Sequence, residues 1–580
     1  MRKGFAILND VMKEVPDMNN CFLLFSRYMP LVIVLAFCSL GFNMAAEADS
    51  SSTGIRVNQV GYKPDAVKTA VFVDIGTDGD RFKVINNDSG EVAFEGALSV
   101  AIDNSWSGET NRVADFSNLT QTGNFHVVSM DGQKSPTFAI GDDVYEELLR
   151  STTRMLYLQR CGTETNSAMA GVWAHPACHT ALATIYGTNE QIDVSGGWHD
   201  AGDYGRYVVS GAKAVADLML AHEVRGDIID DVGIPESGNG MDDLLEEAKI
   251  ELDWMLKMQA PSGGVYHKVT CASFPAFIAP DREKTALIVC PISNTATGDF
   301  AAVMAMASRI YSDDWPEDAE VYLEAARHAW DYLVIHQEEP GFHNPADIVT
   351  GEYPDDNDSD ERFWAAAELA RATGEVGYRE AASTLLTTGG KCHGMGWLNV
   401  GTYGLLAVLN DASLSESGLL RCNARSEMDT IVQAAQDVIE LNPYGADRTD
   451  TYEWGSNMGI ANTAALLMIE GKQGNKACRA VAQQPLDYLL GKNATGYCFV
   501  TAAGEKSPVH PHHRPSIAAR QVMPGMLVGG PDSALEDPCS AAMLRGEAPA
   551  KCYVDNEQSY STNEVCVYWN SPLVLMLSGM

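Results

Sequence analysis

The apolar positions change their period once along the chain, near residue 142. Before it they come in short β-rich runs: Ala70-Val71-Phe72-Val73, Phe82-Lys83-Val84-Ile85 and Asn124-Phe125-His126-Val127-Val128. Asn86-Asn87-Asp88-Ser89-Gly90 reads as a turn between two of them. Short strands at this spacing predict a small β-sandwich. After Asp142 the period becomes helical. Residues 240–258 place Leu244, Leu245, Ala248, Leu252 and Met255 on one stripe. Further helices are predicted over 143–159, 210–224, 298–311, 317–337, 361–373, 377–386, 401–409, 427–441, 457–469 and 477–490. Short loops between them favour antiparallel helix hairpins. The pattern alone gives an all-α domain behind a β-rich one.

The N-terminus adds a third segment. Arg27 precedes the apolar run 29–42, and Ala45, Ala46 and Ala48 follow it. A charged start, a short apolar stretch and small residues make an export signal over 1–48. The run is too short to span a bilayer comfortably. The expected protein is therefore secreted or periplasmic, with no stable membrane insertion once the signal is removed. The sandwich then takes 49–141 and the helical domain 142–580.

The chain has 580 residues, 78 acidic against 40 basic, a net charge of −38. Such a polyanion repels nucleic acid and anionic lipid but not a neutral glycan. Export makes disulfides possible. Of 13 cysteines, 11 lie beyond the signal, an odd number. Cys271 with Cys290, and Cys539 with Cys552, are close enough in sequence for loop bridges.

Chemistry concentrates at two distant places. Gly196-Gly197-Trp198-His199-Asp200-Ala201-Gly202-Asp203-Tyr204-Gly205 sets two carboxylates three residues apart among glycines and aromatics. Glycine permits close backbone approach to a ligand, and aromatic faces suit sugar rings. Two carboxylates held close cannot both ionise freely. One of them capping a helix is the plainer alternative. Far along the chain, Glu564 precedes the apolar run Val565–Trp569. Burial there raises a Glu pKa, as a general acid requires. Pro511-His512-His513-Arg514 supplies imidazole and guanidinium donors. An Asp base, a distant Glu acid and donors for neutral sugars together indicate glycoside hydrolysis.

These segments resemble glycoside hydrolase family 9, once called cellulase family E. The likeness rests on Asp200-Ala201-Gly202-Asp203-Tyr204-Gly205, Pro511-His512-His513-Arg514 and Tyr560-Ser561-Thr562-Asn563-Glu564-Val565, in the family's order. Ile55-Arg56-Val57-Asn58-Gln59-Val60-Gly61-Tyr62 resembles the immunoglobulin-like module of one branch. The resemblance implies a mainly α fold: an (α/α)6 barrel catalytic domain behind a small immunoglobulin-like β-sandwich. It implies inversion, with Asp203 as base, Asp200 holding the attacking water and Glu564 as acid. It places His512, Arg514, Asp555, Trp454 and Trp569 against substrate. Protein packing is the alternative for both tryptophans.

Two metal sites are expected. Cys161, Cys178, His179 and His199 offer a two-plus-two donor set that suits structural zinc. The same branch carries zinc at matching positions; a Cys161–Cys178 disulfide is the rival. Asp355-Asp356-Asn357-Asp358-Ser359-Asp360-Glu361 is a dense oxygen cluster without EF-hand spacing. The resemblance points to calcium on Asp356, Asp360 and Glu361, with helix capping as the alternative. No organic cofactor is expected. The expected function is an endo-β-1,4-glucanase on cellulose-like or mixed-linkage β-glucan, expected as a monomer. An exo-acting glucosidase or glucosaminidase is the rival within the family; outside it the rivals are a non-catalytic glycan-binding protein and a zinc hydrolase, the latter disfavoured because four protein ligands leave no catalytic water.

Overall fold

The computed structural model describes residues 54–74, 80–337, 341–388 and 394–580. The expected export signal over 1–48 and Cys392 lie outside them.

Among the described residues nine short strands come first: β1 (Ile55–Arg56), β2 (Gly61–Tyr62), β3 (Thr69–Val73), β4 (Arg81–Asn86), β5 (Val92–Ala97), β6 (Ile102–Asn104), β7 (Glu109–Asp115), β8 (Gly123–Ser129) and β9 (Phe138–Ile140). They form two sheets, ordered β1-β3-β7-β6 and β2-β9-β8-β4-β5. Alternate residues point inward, so Phe82 and Val84 of β4 and Phe125 and Val127 of β8 are buried while their neighbours are not. With Tyr62, Phe72, Phe116 and Phe138 they make a core of their own. Burying each such side chain contributes about 1.5–3 kcal/mol.

Helices follow in inner and outer pairs. Among the described residues the inner helices are Val208–Arg225, Asn294–Ile310, Ser359–Thr373, Gly401–Asn410, Ser456–Lys472 and Val567–Ser578. Asp243–Met258, Pro316–Ile335, Val376–Thr388 and Leu419–Leu441 back the first four in turn. Lys476–Val481 with Gln483–Leu489 backs the fifth, and Glu146–Leu158 the sixth. This is the (α/α)6 barrel. Outer helices keep one wet face and hence a readable stripe. Val567–Ser578 is buried at every position, so it shows only as an apolar run. Side-chain caps from Asp242 and Ser293 start Asp243–Met258 and Asn294–Ile310.

The ten described cysteines are unbridged. The expected Cys271–Cys290 bridge fails on register. Thr270 faces Ile288 and the Cys290 amide donates to Lys268, which puts the two thiols at opposite ends of the pair. Cys539 lies by Met543 and Cys552 by the Glu547 and Ala548 carbonyls, so that bridge is absent too. No helix among the described residues is long and apolar enough to cross a membrane.

The sandwich is tied to the barrel through polar groups. Asn58 Nδ2 donates to buried Asp487 Oδ1 at 2.9 Å, and Gln59 Oε1 accepts from the Glu505 and Lys506 amides. Lys551 pairs with Glu109 at 2.8 Å. Removing one partner of a buried hydrogen bond costs about 1–3 kcal/mol. Asn58→Ala is therefore expected to lower the thermal midpoint by a few degrees, read by calorimetry, with kcat unchanged.

Candidate active site

The inner helices bring four of the segments together, because each of these lies just before the start of one. Asp200 and Asp203 precede Val208–Arg225, Tyr353 precedes Ser359–Thr373, Trp454 precedes Ser456–Lys472, and Glu564 precedes Val567–Ser578. All five line one cleft of about 430 Å³, with Trp569.

Gly202 sets how close the two halves come. A Cβ on it would meet the His512 carbonyl oxygen at 2.0 Å and Glu564 Oε1 at 3.0 Å. The Arg514 amide and its Nη1 both donate to the Gly202 carbonyl. The catalytic loop thus rests directly on the His512–Arg514 segment, which pairs in turn with Glu564.

The three carboxyls sit in different surroundings. Asp200 accepts from Ser210 Oγ through Oδ1 and from Tyr353 Oη through Oδ2, the latter at 2.6 Å. Burial still pushes its carboxyl up to about 7. Asp203 is raised by burial too, but the Arg514 and Lys268 charges and the Gly205 N–H, at 3.1 Å, favour its anion. Glu564 is raised well above the usual carboxylate range, first by burial and then by the charge of Asp203. One cleft therefore holds an acid that keeps its proton and a carboxylate helped to lose its own.

The other motif residues divide. Trp454 is 41% exposed and edges onto Tyr560, with ring centroids 5.4 Å apart. Trp569 lines the cleft but is buried against Gly455 and Gly529. His512 Nδ1 is held by the Glu557 carbonyl at 2.6 Å, and its ring meets Phe277 edge-on. Arg514 is buried, bonded to the Pro275 and Gly202 carbonyls, and stands over Phe274 and Phe277. Neither His512 nor Arg514 is among the residues that line the cleft. Asp555, expected against substrate, does not line the cleft. Its oxygens accept from the Val509 and His510 amides and from Asn563, which shapes the loop before His512.

Cys161, Cys178, His179 and His199 converge, with one donor atom from each within 4.8 Å of all the others. Sγ to Sγ is 3.9 Å, far beyond a disulfide bond of about 2.05 Å. Cys178 Sγ to His199 Nε2 is 3.6 Å and His199 Nε2 to His179 Nδ1 is 3.3 Å. Tetrahedral bonds of about 2.0–2.3 Å give edges of about 3.3–3.8 Å. The donors fit such a metal. His179 also holds φ +50°, a strained conformation that the quartet has to maintain.

The acidic cluster differs from expectation. Asp356 is exposed and faces His343 at 3.1 Å. The buried members are Asp299, Asp355, Asp360 and Glu361. Both oxygens of Asp299, both of Glu361 and Asp355 Oδ2 have no hydrogen-bond donor. Burial, then mutual repulsion, raises Asp299 and Glu361 well above the usual range. Asp299 comes from another inner helix, Asn294–Ile310, so no local motif announces it.

Sequence reasoning also missed Tyr353, Ser210 and Lys268. None sits in a motif; each reaches the site through a fold contact. The raised carboxyls set a pH dependence. A base fails as pH falls through its pKa, and an acid fails as pH rises through its own. The expected kcat/KM profile on β-glucan is a bell with both limbs above those of free carboxylates. Initial rates across pH check this, and Glu564→Gln should remove the alkaline limb.

Residues 145–577 match the profile of glycosyl hydrolase family 9, and residues 50–135 that of the cellulase N-terminal ig-like domain. The chain is 35% identical over 553 residues to a cellodextrinase of Butyrivibrio fibrisolvens, covering 91% of this chain and 99% of that one. It is 34% identical over 598 residues to a xyloglucan-specific endo-beta-1,4-glucanase of Bacteroides ovatus, covering 96% and 98%. A thermostable endoglucanase from Alicyclobacillus acidocaldarius superposes with a TM-score of 0.84 at 36% identity, covering 91% and 99%. A Zn-binding triple mutant of the family 9 endoglucanase J30 superposes at 0.83 and 33%, covering 89% and 99%. With the family profile matched over most of its length and these relatives aligned along nearly all of it, the chain belongs to glycosyl hydrolase family 9.

Proposed function

We propose that the protein is an exported endo-β-1,4-glucanase that cleaves β-glucan chains with inversion. The observation that carries this reading is that Asp200, Asp203 and Glu564 line one cleft, where burial favours the acid form of Glu564 while Arg514, Lys268 and the Gly205 amide favour the anion of Asp203. Asp203 takes a proton from a water that attacks the anomeric carbon. Asp200, held by Ser210 and Tyr353, shares that water. Glu564 gives its proton to the departing glycosidic oxygen. Trp454 offers an exposed face for a sugar ring.

Product chromatography tests this on barley β-glucan, xyloglucan, carboxymethyl-cellulose, cello-oligosaccharides and chitosan oligomers. Mixed oligomers with an early viscosity drop are expected from the polymers. The likeness to a cellodextrinase favours a second reading, in which only short chains are cut. Glucose or cellobiose from oligomers, with polymers untouched, would select it.

The Cys161, Cys178, His179 and His199 set is proposed to hold structural zinc, since four protein ligands leave no open position for a reacting water. The orphaned oxygens of Asp299, Asp355 and Glu361 are proposed to hold calcium, with Asp360 beside them. Bound only to the native state, calcium in hundredfold excess over its Kd adds about 2.7 kcal/mol. A higher thermal midpoint in calcium than in EGTA is expected, and Glu361→Gln should abolish the difference.

A further inference from the structure

Lys268 is wholly buried, on the short strand Lys268–Thr270. That strand pairs with Arg206–Tyr207, and Lys268 lies opposite Tyr207, four residues past Asp203. The ammonium reaches one loop three times: Asn344 Oδ1 at 2.6 Å, Thr350 Oγ1 at 3.4 Å and the Gly351 carbonyl. The Tyr207 ring centroid is 5.3 Å away and that of Phe342 is 6.0 Å. These partners are all neutral. A buried charge with no counter-ion in contact is costly. Its burial draws the Lys268 pKa down to about 8, so the group remains a cation at neutral pH. A methionine would fill the same volume without that cost, so the charge calls for a use.

The loop it holds gives one use. Asn344 Nδ2 donates to the Thr350 carbonyl at 2.8 Å and the Asn344 amide to Glu352 Oε1 at 2.9 Å. The loop is thus cross-tied, and Lys268 fastens it to the strand after the catalytic loop. It carries Gly351, Glu352 and Tyr353 into the cleft. Tyr353 stands at φ +50°, a conformation its surroundings have to impose, and its hydroxyl reaches Asp200.

The field of the charge gives the other. Asp203, Glu352, the Cys290 thiol and the His267 imidazole feel it. Around Asp203 stand Glu564, Asp200, Tyr204, Tyr207 and the Cys271 and Cys566 thiols, each of which the Asp203 charge holds toward its protonated form. Burial favours neutral Asp203, and Arg514 and Lys268 are the cations that favour its anion.

We propose that Lys268 is a positioning residue of the reaction: it pins the loop 342–353 that delivers Tyr353 to Asp200, and it supplies fixed positive charge that keeps Asp203 an anion. The proposal rests on Asp203 being the base.

The test is kcat, KM and the pH profile of kcat/KM on cellotetraose for Lys268→Met, Lys268→Arg, Lys268→Gln and the double variant Asn344→Ala with Thr350→Val. Lys268→Met is expected to lower kcat about tenfold or more with KM nearly unchanged, the mark of an interaction made in the transition state. Without the cation Asp203 binds its proton more tightly, so the acid limb should move to higher pH. Lys268→Arg should bring the limb back. The double variant keeps the charge, so it should lower kcat and leave the limb in place. A limb that stays put in Lys268→Met, with kcat within about twofold of the parent, overturns the proposal. Should that variant not fold, the same two results in Lys268→Gln decide it. Asp203→Asn, measured alongside, separates this failure from failure of the base assignment, since full activity there would remove the base itself.

Discussion

Glu564→Gln is expected to lower kcat on cello-oligosaccharides and β-glucan by about 10²–10⁴-fold, the usual contribution of a positioned general acid. The amide is close in shape to the acid and keeps the Gly202 contact, so the fold and KM should hold. The loss should depend on the leaving group. A sugar hydroxyl departs poorly without a proton, whereas an activated phenol needs little help. Rates on aryl cellobiosides of falling phenol pKa therefore check the assignment: the variant should approach the parent as the phenol becomes more acidic. An equal loss on every substrate would mean that Glu564 acts through structure and not as an acid.

The second large effect concerns the Cys/His quartet. Cys178→Ser is expected to lower the thermal midpoint by on the order of 10 °C, because a structural metal site contributes folding free energy directly. Prolonged chelation of the parent should do the same. The quartet also borders the catalytic loop: His199 adjoins Asp200, and its amide donates to the Gln159 carbonyl at 2.7 Å. Gln159 in turn holds the Ala201 carbonyl and faces His513. Residual activity at low temperature should therefore fall less than stability does. Metal analysis of the purified protein, with melting followed by calorimetry, checks this. One zinc per chain lost together with the melting shift is the expected result. Activity abolished at low temperature with the fold intact would instead place the metal in the chemistry.

The sequence revealed most where the chemistry is local. Asp200 and Asp203 share one turn, and Glu564 announces itself by the apolar run behind it. The outer helices were readable because each keeps a wet face. Val567–Ser578 was not, since a helix buried all round has no stripe. The acidic cluster shows the same limit. Its Asp-rich segment was visible, but the choice of ligands depends on which carboxylates turn inward, and Asp356 turns out to solvent while Asp299 arrives from a different helix. Cys271 and Cys290 looked like a bridge because sequence distance hides strand register. Tyr353 and Lys268 carry no signature at all, for their partners lie roughly 60 to 150 residues away in sequence.

The cleft segments that carry Asp200, Asp203, Tyr353, Trp454 and Glu564 hang from the starts of inner helices. Selection can therefore lengthen, shorten or retype a rim segment without disturbing the frame that aligns Asp203 with Glu564. Bond chemistry and the fit to a particular glucan can change separately in such an architecture.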